Sequence, residues 1–376
     1  MSDQLLRRER LTELRKLLGY TQTDLERLSR IPQPDISQIE KGDREFTHAM
    51  AYRIATATAT PIEYFTHTTP SYDELAINFR RRARVSKKSS HSVLQMFKEI
   101  ERVANHLSKA QLRLRRTPLP VATKADLTDD DIEQLALDTR RSAGMSDDAP
   151  IRHVIRTVER FGIAVAATRT DDTALLDGHC GMSRWATGSP RATVAYIAGE
   201  SGDRQRFTMA HELAHVVAHS RRSVDLDLRE REAHRFAGAF LLPKAVAVKE
   251  ISESLTLHGY MKLKAGFGIS IQAAIARGRN LGLVSQARQR SLMIQISSRG
   301  WRTAEPVEVG SEQPSLLWHE LTALYGRNPY FAASTELGIN PELIKTWIPP
   351  RGTQPTTDGQ VIDLGRRQRT RQPAPR

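Results

Sequence analysis

The stretch His211-Glu-Leu-Ala-His215 constrains this chain more than any other, because its pattern makes chemical sense on a helix. At ~100° per residue two histidines four apart project from one face and can reach a single tetrahedral ion. Glu212, beside the first, is placed to take a proton from water activated by that ion. The surroundings support a helix: Gly202-Asp203 supplies a turn and an N-cap candidate, and Phe207, Ala210, Leu213, Ala214 and Val217 recur at helical spacing. His211 and His215 then lie on the flank of the buried stripe. Two histidines satisfied by carbonyls at a core edge would leave Glu212 unexplained.

A zinc hydrolase needs a third protein ligand and leaves the fourth position to water. A second amphipathic helix over Leu228–Pro243 packs Ala233, Phe236, Ala237, Phe240 and Leu241, and Pro243 stops it. Glu230 and Glu232 flank its apolar face at comparable angles, and helical geometry alone does not choose between them. His219 and His234 are further imidazoles, read as supports for the ligands, as transition-state donors or as solvated side chains. A metzincin would need a third histidine ten positions after the first; that position is Arg221.

The string Arg-Gln-Arg-Phe-Thr-Met-Ala-His-Glu-Leu-Ala-His at 204–215, followed by Glu-Ala-His-Arg-Phe-Ala-Gly-Ala-Phe-Leu-Leu-Pro at 232–243, resembles the ImmA/IrrE metallopeptidase family. The resemblance implies a gluzincin-like zinc endopeptidase in which His211, His215 and Glu232 hold Zn²⁺ and Glu212 is the general base. Ala214 stands where the family has glycine, which a helix accepts readily, and His234 where it has asparagine. Residues 270–285 and 300–306 resemble the C-terminal part of regulators that carry this module.

The N-terminus reads as five short helices with a tight turn after the second. Leu5–Leu18 forms the first, Thr21 caps the next, and Ser29-Arg-Ile-Pro turns into Gln33–Gly42. Helices over His48–Ala59 and Pro61–Phe65 follow. Thr21 to Gly42, ending Ile-Ser-Gln-Ile-Glu-Lys-Gly, resembles the XRE/Cro-type helix-turn-helix family. That resemblance implies a third helix in the major groove of double-stranded DNA, with Gln33, Ser37 and Gln38 at base-reading positions and Lys41 and Arg44 placed for phosphates. Pro34 is tolerated in a first turn but restricts Gln33.

The formal net charge of +13 does not sit on this reader. Residues 1–67 carry ten basic and ten acidic side chains, and 126–350 carry 27 of each; the excess lies in 68–125, with 13 against 4, and in 351–376, with 6 against 2. Phosphate neutralisation by Arg80-Arg81-Arg82-Ala-Arg84 and Lys87-Lys88 is one reading, and a solvated linker the other. Within a helix expected over 91–116, Val93, Met96, Ile100, Val103, Leu107, Ala110 and Leu114 form a heptad seam. It offers either a homodimer of two readers or packing within the chain, and short seams favour the second. Thr117-Pro-Leu-Pro breaks that helix, and Asp126–Arg141 begins another.

Gly162-Ile-Ala-Val-Ala-Ala and Ala192–Ile197 read as strands, with turns at Asp177-Gly and Thr187-Gly-Ser-Pro between them. A small sheet beside the HExxH helix would give an extended substrate an edge to pair with. The expected fold is therefore multidomain. An all-α helix-turn-helix domain (1–67) and a basic linker with its amphipathic helix (68–125) precede an α+β, zincin-like domain (126–245). A mostly helical accessory region (246–350) and a disordered basic tail (351–376) follow. The single cysteine, Cys180, excludes internal disulfides, and no apolar run approaches ~18 residues, so no membrane span is expected and a cytoplasmic location is. Aromatic content of 6% argues against single-strand binding. Two functions fit: a transcriptional regulator whose peptidase cuts a protein substrate such as a repressor, or a DNA-binding regulator in which the metal module is a sensor or scaffold.

Overall fold

The computed structural model describes residues 5–70, 78–81, 87–110, 117–168, 179–185 and 191–351. The chain forms two units, one of residues 1–115, 162–198 and 314–353, the other of residues 116–161, 199–313 and 354–376.

The first unit opens with α1 (Glu9–Leu17), α2 (Gln22–Ser29), α3 (Gln33–Lys41), α4 (His48–Ala57) and a 3-10 turn at Ile62–Thr66. The Thr21 hydroxyl accepts the Asp24 N–H, and the Asp24 carboxylate accepts the Thr21 N–H, a reciprocal cap that starts α2. Gly42, at φ 90°, ends α3 in a left-handed turn that favours glycine. Leu11, Leu14, Leu25, Ile36, Ile39, Ile54 and Phe65 close the centre of this helical domain.

α5 (Lys87–Leu107) extends the same core. Val93, Met96, Ile100, Val103 and Leu107 are buried, and the helix packs on α1 and on the helix Leu316–Tyr325. The seam is thus consumed inside one copy, against the reader itself, which removes it as a surface for a homodimer. Ala110 lies in a 3-10 turn, and Leu114 falls outside the described residues.

Among the described residues four strands share this unit: β1 (Asn78–Arg81), β2 (Ala164–Thr168), β3 (His179–Arg184) and β4 (Thr193–Ile197), in the order β1-β3-β4-β2. β2 pairs parallel with β4, Ala164 opposite Thr193 and Thr168 opposite Ile197, whereas β3 runs antiparallel to both β4 and β1. β2 is buried throughout and packs against the helices Leu316–Tyr325 and Pro341–Trp347. The two strands expected from sequence form. β1 and β3 gave no signal: His-Cys-Gly-Met-Ser-Arg holds no β-branched residue, and Asn-Phe-Arg-Arg lies in the basic run. Residues 82–86 of that run, both expected turns and the tail from 352 lie outside the described residues.

A buried ion cluster ties these parts together. Arg10, with no solvent exposure, donates to Glu99 at 2.6 Å and lies 3.7 Å over the Tyr64 ring. Arg102 donates to the other Glu99 oxygen at 2.8 Å and to the Leu337 carbonyl at 2.7 Å. Burial alone would push the Glu99 carboxyl up, but the guanidiniums of Arg102 and Arg10 outweigh it and hold it at about 2.

In the second unit α6 (Asp129–Ser142) starts under a Thr128–Asp131 capping box. α7 (Val154–Arg160) follows, then α8 (Gly202–His219), which carries HExxH, and α9 (Leu226–Leu241). α9 packs on both α8 and α6. Two guanidiniums serve the terminal carbonyls of α9: Arg140 donates to Phe240 O at 2.7 Å and Arg277 to Leu242 O at 3.0 Å. They satisfy groups a helix end leaves open and oppose its negative pole, which fixes where α9 stops. The start of α8 is equally constrained. A Cβ on Gly202 would stand 2.3 Å from the carbonyl oxygens of Val309 and Gly310, so the chain can approach there only through glycine. Gln205 exchanges two hydrogen bonds with the backbone of Glu312, and Arg206 pairs with the Glu312 carboxylate at 2.5 Å. Among the described residues no helix is long and apolar enough to cross a membrane.

Glu99 supports the first unit above its unfolded pKa, and that support drains away as pH falls from 4.5 towards about 2. E99Q, which leaves Arg10 and Arg102 buried against a neutral amide, should cost about 3–5 kcal/mol at neutral pH. Thermal melts across that window should fall less steeply for E99Q than for the wild type; parallel slopes would contradict the assignment.

Candidate metal centre

α8 brings His211 and His215 together as its period requires: their Nε2 atoms lie 3.1 Å apart, both rings buried. A carboxylate joins them from α9, and it is Glu230. One Glu230 oxygen is 3.4 Å from His211 Nε2 and the other 3.4 Å from His215 Nε2. Burial opposes ionisation of Glu230, but the two imidazoles beside it hold the carboxyl far below the usual range.

Glu232, the ligand implied by family resemblance, is elsewhere. Residues 230 and 232 are ~200° apart around a helix, so only one of them can face the histidine pair. Glu232 turns to Arg222, which donates at 2.7 and 3.1 Å to its two oxygens, and to His219 Nε2 at 2.9 Å. Burial would raise its carboxyl; Arg222 and His219 lower it. Arg222 is itself anchored by the carbonyls of Ala125 and Ala218. A buried carboxylate held by a two-pronged guanidinium has little reason to leave.

His219 continues from Glu232 towards the site, with its Nδ1 3.0 Å from His215 Nδ1. Burial and the neighbouring His215 push it down to about 4, against the upward pull of Glu232. His234 is exposed, and its ring stands edge-on to His211 with centroids 4.8 Å apart. Glu212 lies in the turn between the two histidines and is fully buried. Arg222 gave no signal in the sequence; it lies three residues beyond His219, the last residue of α8.

His211, His215 and Glu230 are the grouping among the described residues that could hold a metal ion, their ligand atoms all within 4.8 Å. Zinc bonded at ~2.0–2.1 Å to tetrahedral ligands spaces them about 3.3–3.4 Å apart. The two histidine nitrogens, 3.1 Å apart, come close to that spacing, and each has one of the two Glu230 oxygens 3.4 Å away. Two imidazoles and one carboxylate are a donor set suited to zinc, with a fourth position left for water.

On the helical domain, the residues expected to meet DNA occupy α3 and the turn after it. Gln38, Lys41 and Arg44 are exposed, and Gln33 and Ser37 are partly covered. Gln33 donates its amide to Gln22 at 2.6 Å, Gln22 donates to Glu40 at 2.7 Å, and Arg15 binds both Glu40 oxygens. Gln33 is thereby fixed against α2, and Gln22 is a neighbour the sequence reading missed. Arg44 pairs with Asp35 at 2.5 Å across the surface of α3.

Residues 11–65 match the helix-turn-helix family model, and residues 158–278 match the IrrE N-terminal-like domain of the M78 peptidases. No curated protein matches the chain. The second match takes in β2, β3 and β4 as well as α8 and α9. This chain thus joins an XRE-type helix-turn-helix domain at 11–65 to an IrrE/ImmA-like domain of the M78 peptidase family at 158–278.

Proposed function

We propose that the chain is a DNA-binding transcriptional regulator with a zinc-dependent endopeptidase, which relieves or imposes control of gene expression by cutting a protein regulator. The observation that carries the catalytic half is the convergence of His211, His215 and Glu230, with ligand atoms within 4.8 Å of one another and Glu212 in the same helical turn. Those three residues would hold Zn²⁺, which supplies Lewis-acid polarisation when bound. Glu212 takes the proton of the attacking water and passes it to the leaving amine. Full burial suits Glu212 to that role, because a buried carboxylate is tolerable beside a cation and reacts in a place sheltered from bulk water. The regulatory half rests on α3: Gln33, Ser37 and Gln38 would read base edges, and Lys41 and Arg44 would meet phosphates.

E212Q keeps the proposed ligands and removes the base. It should retain zinc and operator binding while peptide cleavage falls by about 10²–10⁴-fold, and derepression in cells should stop. Normal regulation by E212Q would favour a metal-bound sensor or scaffold instead. On the DNA side, Gln38→Ala should cost about 1–3 kcal/mol and relax preference at one base pair, whereas Lys41→Ala should weaken all sequences alike and lower the salt slope by about one. Binding titrations across salt concentrations separate the two, and an unchanged sequence preference in the Gln38 variant would remove that residue from the reader.

A further inference from the structure

The chain Arg222–Glu232–His219–His215 has an order that chemistry dictates. Arg222 has only protons to give, and it gives two to Glu232. A carboxylate held in this way is an ionised acceptor, so the 2.9 Å contact to His219 requires that His219 Nε2 carry a hydrogen. An ion held on His215 Nε2 leaves the hydrogen of that imidazole on Nδ1, so the His219 nitrogen that faces it, Nδ1, presents a lone pair. That nitrogen lies 3.0 Å from His215 Nδ1, and two nitrogens at this distance need one donor between them. The donor is His215 Nδ1–H. His215 Nε2 is left as a lone pair, and it is this nitrogen that lies 3.1 Å from His211 Nε2 and 3.4 Å from Glu230. Reversing the chain would set the His219 Nε2 lone pair against a carboxylate oxygen. All four side chains are buried, so water is poorly placed to replace a link.

We propose that Arg222, Glu232 and His219 form a proton-ordering relay that locks His215 in its Nδ1–H tautomer and so aims Nε2 at the ion. Glu232 and His219 are positioning residues, not ligands. The relay rests on the metal reading above for its direction and on the hydrogen bonds for its links. Hydrogen bonds of this kind to a ligating imidazole fix its orientation and raise its basicity.

The test uses the full chain, stripped of metal and labelled with ¹⁵N-histidine. Long-range ¹⁵N–¹H correlations, assigned by single histidine variants, should show His215 protonated on Nδ1 and His219 on Nε2. Zinc affinity is then measured by chelator competition for the wild type, His219→Phe and His219→Gln. Gln can still donate to Glu232 and accept from His215, whereas Phe can do neither. The Phe variant should bind zinc about 10–100-fold more weakly, and the Gln variant should stay within about threefold of the wild type. His215 found as the Nε2–H tautomer in the wild type, or a folded Phe variant that binds as tightly as the wild type, would overturn the relay. If the Phe variant does not fold, the wild-type tautomer decides alone. A wild type that binds no zinc defeats the metal reading, while the tautomers still decide whether the relay exists.

Discussion

The seating of α9 against α8 decides which glutamate meets the histidine pair. Two glutamates two residues apart on a helix face different ways, so a change of register would exchange them. Arg140 and Arg277 hold the carbonyl end of α9, and Phe236, Ala237 and Phe240 bury its apolar stripe. With that seating set, Glu230 meets the histidines and Glu232 meets Arg222. The start of α8 is set from elsewhere in the same unit, through Gly202 at the 309–310 carbonyls and Arg206 on Glu312.

Charge is buried repeatedly here, and four times as a carboxylate paired with arginine. Glu99 takes Arg10 and Arg102, Glu320 takes Arg191 at 2.8 Å, Glu312 takes Arg206, and Glu232 takes Arg222. Such pairs add little net stability over apolar contacts but are costly to break, so they favour one packing over its alternatives. In the first unit Glu99 joins the DNA-reading domain to α5, and Arg102 carries the link on to the Pro329–Leu337 helix. The reader is therefore one end of a larger core.

Local patterns carried much of this into the sequence. The HExxH pair needs only the helical period, the α2 cap needs only Thr21 and Asp24, and β2 and β4 announce themselves by their apolar runs. What distant parts of the chain decide was not legible. Glu230 and Glu232 sit at similar angles from the apolar stripe but on opposite flanks, and choosing between them requires knowing that Arg222 waits on one side. Likeness to a family pointed to Glu232; the packing of α9 points to Glu230. The seam of α5 was readable as a seam, whereas its partners, α1 and a helix more than 200 residues later, were not. β1 and β3 escaped because their pairing follows from neighbours and not from their own composition.

Anomalous diffraction at the zinc edge, from crystals of the zinc-loaded full chain, would show which carboxylate an ion takes. One peak is expected, bonded to His211 Nε2, His215 Nε2 and Glu230, with Glu232 still bound to Arg222. A peak bonded to Glu232 in place of Glu230, or none beside the two histidines, would contradict that assignment.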